Sequence, residues 1–116
     1  DKPPFYVDLP FEEKDGQWHP VEDVQRRWVE HSPQDMIRVY RDHLTRLRAF
    51  AFDVGTHDEL VAPALLDSMD VTLNRAGVAH TYETYDGTHT SGIGMRMITK
   101  VLPFFSRTLT PPVDGR

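Results

Sequence analysis

The stretch 49–85 limits what this chain can fold into more than any other part of it. Ala49 to Val54 is short and apolar until Asp53, the composition of a strand covered on both faces. Pro63 to Ala76 follows as an amphipathic helix carrying Leu65, Leu66, Met69 and Leu73, and Gly77 stands where a C-cap is expected. Ala79 to Tyr85 alternates His80, Tyr82 and Thr84 against Thr81, Glu83 and Tyr85, the period of a strand, and Asp86-Gly87 marks the next turn. Strand, helix and strand at this spacing predict a βαβ unit with parallel strands and a right-handed crossover. The fold class is therefore α/β.

Flanking segments add helices. Residues 1–19, with Pro3, Pro4 and Pro10, read as an extended lead-in with little helix. Val21 to His31 repeats Val21, Val24 and Trp28 on one helical face, and Pro20 suits a first helical turn. Ser32-Pro33-Gln34-Asp35 starts a second helix, with Ser32 as cap and Pro33 in the first turn, and Met36, Ile37, Tyr40, Leu44 and Leu47 as its stripe. A last helix is expected from Ile93 to Leu109, with Met97, Ile98, Val101, Leu102 and Phe105 inward and a kink or restart at Pro103. The tail 110–116 is expected to fray. Trp18, Trp28, Tyr40, Phe104 and Phe105 read as core or cleft wall.

Composition removes several classes of function. A chain of 116 residues fits one domain. A net charge of −5 with interspersed signs and no Lys/Arg run argues against nucleic acid as a partner. No apolar run reaches the roughly 18 residues of a membrane span, so no membrane partner is expected. No signal peptide is visible, which favours the cytoplasm. The lack of cysteine excludes disulfides and thiolate zinc sites. The chain begins with Asp1 rather than Met, and we expect an upstream part to have been removed by processing or truncation.

The chemistry concentrates just past the two strands. Parallel strands put their C-terminal ends on one sheet edge, where open α/β folds keep their sites. The loop after the first strand, Gly55-Thr56-His57-Asp58-Glu59, offers the carboxylate of Asp58. The loop after the second, Asp86-Gly87-Thr88-His89, offers the imidazole of His89. An imidazole acting as general base needs a fixed tautomer, which a carboxylate on Nδ1–H supplies. The plainer alternative is that Asp58 caps the next helix and His89 is an ordinary loop residue. His57 competes as a chemical group, and Asp53 and Asp86 are rival carboxylates, Asp86 with a turn-forming role of its own. His57, Asp58, Glu59 and His89 could instead hold a metal, although their spacing matches no familiar ligand set. No G-x-S-x-G nucleophile elbow occurs; Ser32, Ser68, Ser91 and Ser106 all lack that context.

Phe52 to Leu60, Tyr82 to His89, Arg96 and Leu102-Pro103-Phe104-Phe105-Ser106 resemble the C-terminal part of α/β-hydrolase esterases related to esterase D, S-formylglutathione hydrolase and enterochelin esterase. Trp28 to Pro33 resembles the family's segment before its penultimate catalytic strand, so the likeness spans about residues 5–109. It implies the C-terminal portion of an α/β-hydrolase fold, with Asp58 as the acid and His89 as the base of a Ser-His-Asp triad. It implies no cofactor, a small-molecule ester as substrate, and a serine and oxyanion hole upstream of these residues. The segment Thr90 to Arg96 departs from the family's pattern, in which an aromatic residue and Trp-Arg follow the histidine.

Three readings result. The chain is the C-terminal segment of a serine esterase; or it is a non-catalytic hydrolase remnant whose open sheet edge invites homo-oligomers or strand exchange; or it is a metal-dependent hydrolase.

Overall fold

The computed structural model describes residues 6–109. The protein is a mixed α/β structure with one small antiparallel sheet and one small parallel sheet. It divides into two compact units between Arg41 and Asp42.

In the first unit the expected lead-in is a β-hairpin, β1 (Phe11–Lys14) paired antiparallel with β2 (Gln17–Pro20). Asp15 and Gly16, at φ 53° and 73°, make the two-residue turn between them. Two successive left-handed residues match the right-handed twist of a hairpin, and Asp tolerates that region better than most residues. Pro20 ends β2 instead of opening a helix. Helix α1 (Glu22–Glu30) begins after Val21, whose N–H bonds to the Pro10 carbonyl at 2.9 Å. Ser32 caps α2 (Pro33–Val39) by accepting the Asp35 N–H at 3.3 Å. The stripe expected to continue to Leu47 is interrupted at Tyr40, the C-cap of α2, where β-branched Ile37 and Val39 and aromatic Tyr40 weaken helix propensity. Val24 and Ile37 are buried, whereas Trp18 is 67% and Trp28 49% exposed; the two tryptophans wall surface clefts rather than the core.

The division falls within α3 (Arg41–Leu44), and the second unit contains the parallel pair. Strand β3 (Ala51–Gly55) runs alongside β4 (Thr81–Tyr85), joined by α4 (Pro63–Ala76), with Ala51 opposite Thr81 and Gly55 opposite Tyr85. Gly77 closes α4 at φ 71°, and the Val78 N–H reaches back to the Leu73 carbonyl at 3.0 Å. This is the Schellman arrangement, and its two apolar residues, Leu73 and Val78, are both buried with Val54. Among the described residues β3 pairs only with β4, so Ala51 and Asp53 are exposed despite the apolar run around them.

The alternation along β4 sorts its side chains as the sequence suggests. Towards α4, Phe52 stacks on Tyr82 at 4.8 Å and on His80 at 5.7 Å. The Tyr82 hydroxyl donates to Asp67 at 2.9 Å; burial, with that carboxylate, pushes its pKa up to about 12. On the other face, Asp53 and Glu83 lie directly opposite one another, a like-charge pair that alone would be unfavourable. The last helix supplies the cations: Arg96 bonds Asp53, and Lys100 bonds Glu83 at 2.7 Å. Hydrogen bonding from Lys100 holds the Glu83 carboxyl below its ordinary value.

That last helix has three parts, α5 (Ile93–Arg96), a π-helical turn (Met97–Val101) and α6 (Leu102–Thr108). Pro103 falls in the first turn of α6, where the π-helical turn gives way to α-helix. The widened turn, in which the Leu102 N–H bonds to the Met97 carbonyl, accommodates the proline in a continuous helix. Met97, Ile98, Leu102 and Phe105, expected inward, are 45–64% exposed. Two strands offer too narrow a surface to cover them. No helix among the described residues is long and apolar enough to cross a membrane.

His80 makes the second unit's stability depend on pH. Its side chain is 4% exposed; Nδ1 meets the Val78 carbonyl and Nε2 the Asp70 carboxylate, each at 2.8 Å. Both partners only accept, so the ring satisfies both at once only as the imidazolium, with a proton on each nitrogen. Burial opposes that charge, but the Val78 carbonyl and Asp70 raise the pKa above 6.5 overall. A raised folded-state value means the stabilisation is complete below the unfolded value and is lost as pH rises through the folded one. We expect the stability difference between wild type and His80→Gln, measured by urea unfolding, to shrink as pH rises above 6.5. A difference that grew with pH would contradict this assignment.

Candidate active site

The loops after β3 and β4 lie against each other. The Thr56 N–H bonds to the Tyr85 carbonyl at 2.8 Å and the His57 N–H to the Gly87 carbonyl at 2.9 Å, extending the parallel pairing past the strands. Such an approach needs a residue without a side chain at the crossing. A Cβ on Gly55 would lie 2.2 Å from the Gly87 carbonyl oxygen.

This crossing brings Asp58 and His89 together. His89 Nδ1 stands 3.0 Å from Asp58 Oδ2 and 3.2 Å from Oδ1. The carboxylate can only accept, so Nδ1 carries the proton and Nε2 of the neutral ring keeps its lone pair. Nε2 has no partner among the described residues. Asp58 Oδ1 also accepts the N–H groups of Leu60 at 2.9 Å and Val61 at 2.8 Å. These bonds are the local turn-forming role of the plainer reading, made just before α4 rather than at its cap, Ala62. The one side chain does both jobs. The Val61 N–H holds the Asp58 carboxyl below its ordinary value, burial opposes that, and the Leu60 N–H and the His89 ring add to the lowering. Asp58 is thus an anion near neutral pH. Its side chain is 6% exposed and that of His89 41%, an orienting group beneath an accessible one.

The competing groups are committed elsewhere. His57 Nε2 meets Asp86 at 3.1 Å on the surface, which is the contact Asp86 makes in place of the turn-forming one expected for it. Asp53 belongs to Arg96. Among the described residues no group of three or more His, Asp and Glu side chains could hold a metal ion.

Three features around the pair were not read from the sequence. Ser91 Oγ accepts the Thr88 N–H at 2.9 Å and shares a proton with Thr88 Oγ1 at 2.8 Å, fastening the turn that carries His89. The Thr-x-x-Ser spacing was the available signal. Glu59 Oε2 accepts the His89 backbone N–H at 3.4 Å. Arg96, known from the sequence only as part of a resemblance, borders the same cleft of about 420 Å³ as Asp58 and His89, alongside apolar Val61, Leu66, Ile93 and Met97.

The arrangement can orient an imidazole, leave one of its nitrogens basic and accessible, and stabilise the imidazolium formed when that nitrogen takes a proton. Compared with known proteins, the chain matches no family model and no curated sequence.

Proposed function

We propose that this chain is the C-terminal segment of an α/β-hydrolase-type serine esterase, supplying the acid and base of a Ser-His-Asp triad. The observation that carries the proposal is the 3.0 Å contact between His89 Nδ1 and an Asp58 carboxylate already fixed by two backbone N–H groups. A carboxylate so held orients the ring without rotating away from it. The nucleophile comes from residues outside this chain, since none of its serines sits in an elbow.

In the proposed reaction a serine Oγ attacks the ester carbonyl carbon while its proton passes to His89 Nε2. The tetrahedral intermediate collapses, and the alcohol leaves with that proton. Water then attacks the acyl-serine, again giving a proton to Nε2, and the carboxylic acid departs as the serine recovers it. Asp58 remains ionised and stabilises the imidazolium in both halves.

The edge of β3 that is unpaired among the described residues and the exposed apolar face of the last helix favour a second reading, a non-catalytic module that self-associates. A fluorophosphonate probe separates the two. We expect the 116-residue chain to take no label and to hydrolyse no p-nitrophenyl ester, and a longer protein with an upstream G-x-S-x-G to be labelled at that serine. Label on a serine of this chain would refute the proposal. A longer protein that takes none would favour the second reading.

A further inference from the structure

We infer that Arg96 is a positioning residue for His89, acting as the clamp that closes the loop on which His89 sits; this rests on the triad reading above. The loop leaves the sheet at Tyr85, the last residue of β4, and re-enters regular structure at Gly92, which opens α5 at φ 64°. Arg96 lies one turn into that helix, its N–H bonded to the Gly92 carbonyl at 2.8 Å. Its guanidinium carbon sits 3.9 Å from the centroid of the Tyr85 ring. The residue entering the loop and a residue one turn past its end are therefore in contact, the guanidinium carbon over the ring.

The clamp is held on both sides. Asp53, on the neighbouring strand, bonds Arg96 Nη2 and fixes the guanidinium, whose side chain is 18% exposed. The Tyr85 ring in turn bears on the loop. Its hydroxyl donates to the Thr88 carbonyl at 3.4 Å, and its edge lies so close to Gly87 that a Cβ there would be 2.8 Å from Tyr85 Cε2. Gly87 and Thr88 are the two residues before His89. The plane of the Tyr85 ring sets the path of their main chain, and Arg96 sets the plane of the ring. A cation over an aromatic face, already paired with a carboxylate, does this without leaving an uncompensated charge in the cleft.

The bond from His89 Nδ1–H to Asp58 gives a direct readout that needs no catalysis. In the full chain, labelled with ¹⁵N-histidine, that proton should give a downfield resonance that persists against exchange with water. We expect Arg96→Met to abolish it and Arg96→Lys, which keeps a cation over the ring, to retain it. The contacts between β3 and β4 should stay unchanged in both variants. Tyr85→Leu, which leaves Arg96 with Asp53 but removes the ring, should abolish the resonance too, and serves if Arg96→Met does not fold. Retention of the resonance in a folded Arg96→Met or Tyr85→Leu protein would overturn the assignment of Arg96 while leaving the Asp58–His89 pair standing. A resonance missing from wild type, or unchanged by Asp58→Asn, would overturn the pair itself.

Discussion

In a longer protein that carries the serine, His89→Ala should lower kcat by at least about 10⁴-fold with KM little changed, a loss of roughly 5 kcal/mol of transition-state stabilisation. Asp58→Asn should lose about as much. The amide offers an N–H₂ where the ring needs an acceptor, so the imidazole turns or takes the wrong tautomer. The two effects should not add, because each variant disables the same proton transfer. Steady-state hydrolysis of a p-nitrophenyl ester measures both. A rate within tenfold of wild type for either variant would remove that residue from the triad.

Gly55→Ala should destabilise the second unit by roughly 3 kcal/mol, the upper end for atoms forced into a packed site. The new methyl would meet the Gly87 carbonyl at 2.2 Å, and that oxygen belongs to main chain that cannot swing aside. The loops must part, and the His57 N–H to Gly87 bond parts with them. Gly55 has no left-handed φ, so the effect is purely one of space. Alanine's smaller unfolded-state entropy returns at most about 1 kcal/mol. Urea unfolding gives the stability, and the His89 Nδ1–H resonance should vanish in the same protein. Stability within about 0.5 kcal/mol of wild type would show that the crossing is looser than described.

What the sequence made legible was local and periodic. Pro63 to Gly77 carries its own start, stripe and stop, and α4 occupies that span with Gly77 as its left-handed cap. Two apolar segments on either side of such a helix leave little choice but parallel strands, and the meeting of Asp58 with His89 follows from their common sheet edge. Burial was less legible. The apolar pattern of Met97, Ile98, Leu102 and Phe105 reports a face that wants covering, and pattern cannot say whether the described residues include its cover. The hairpin was missed because the Asp15-Gly16 turn signal lies between two strands of only four residues, the first mostly charged and the second ending in proline. Contacts between distant residues, such as Arg96 with Asp53 and Tyr85, left no mark in spacing at all.

The π-helical turn ties two features of the last helix together. Such a turn is an α-helix holding one residue more than its ends require, so removing one residue between Met97 and Val101 would leave Arg96 and Phe104 in phase. Pro103 forbids that shortening while it stays, because in a regular helix its ring would strike the carbonyl one turn back. The surplus residue and the proline therefore form a linked pair. Related chains should either keep both or lack both, and a helix of the shorter length should carry at position 103 a residue with an N–H to give.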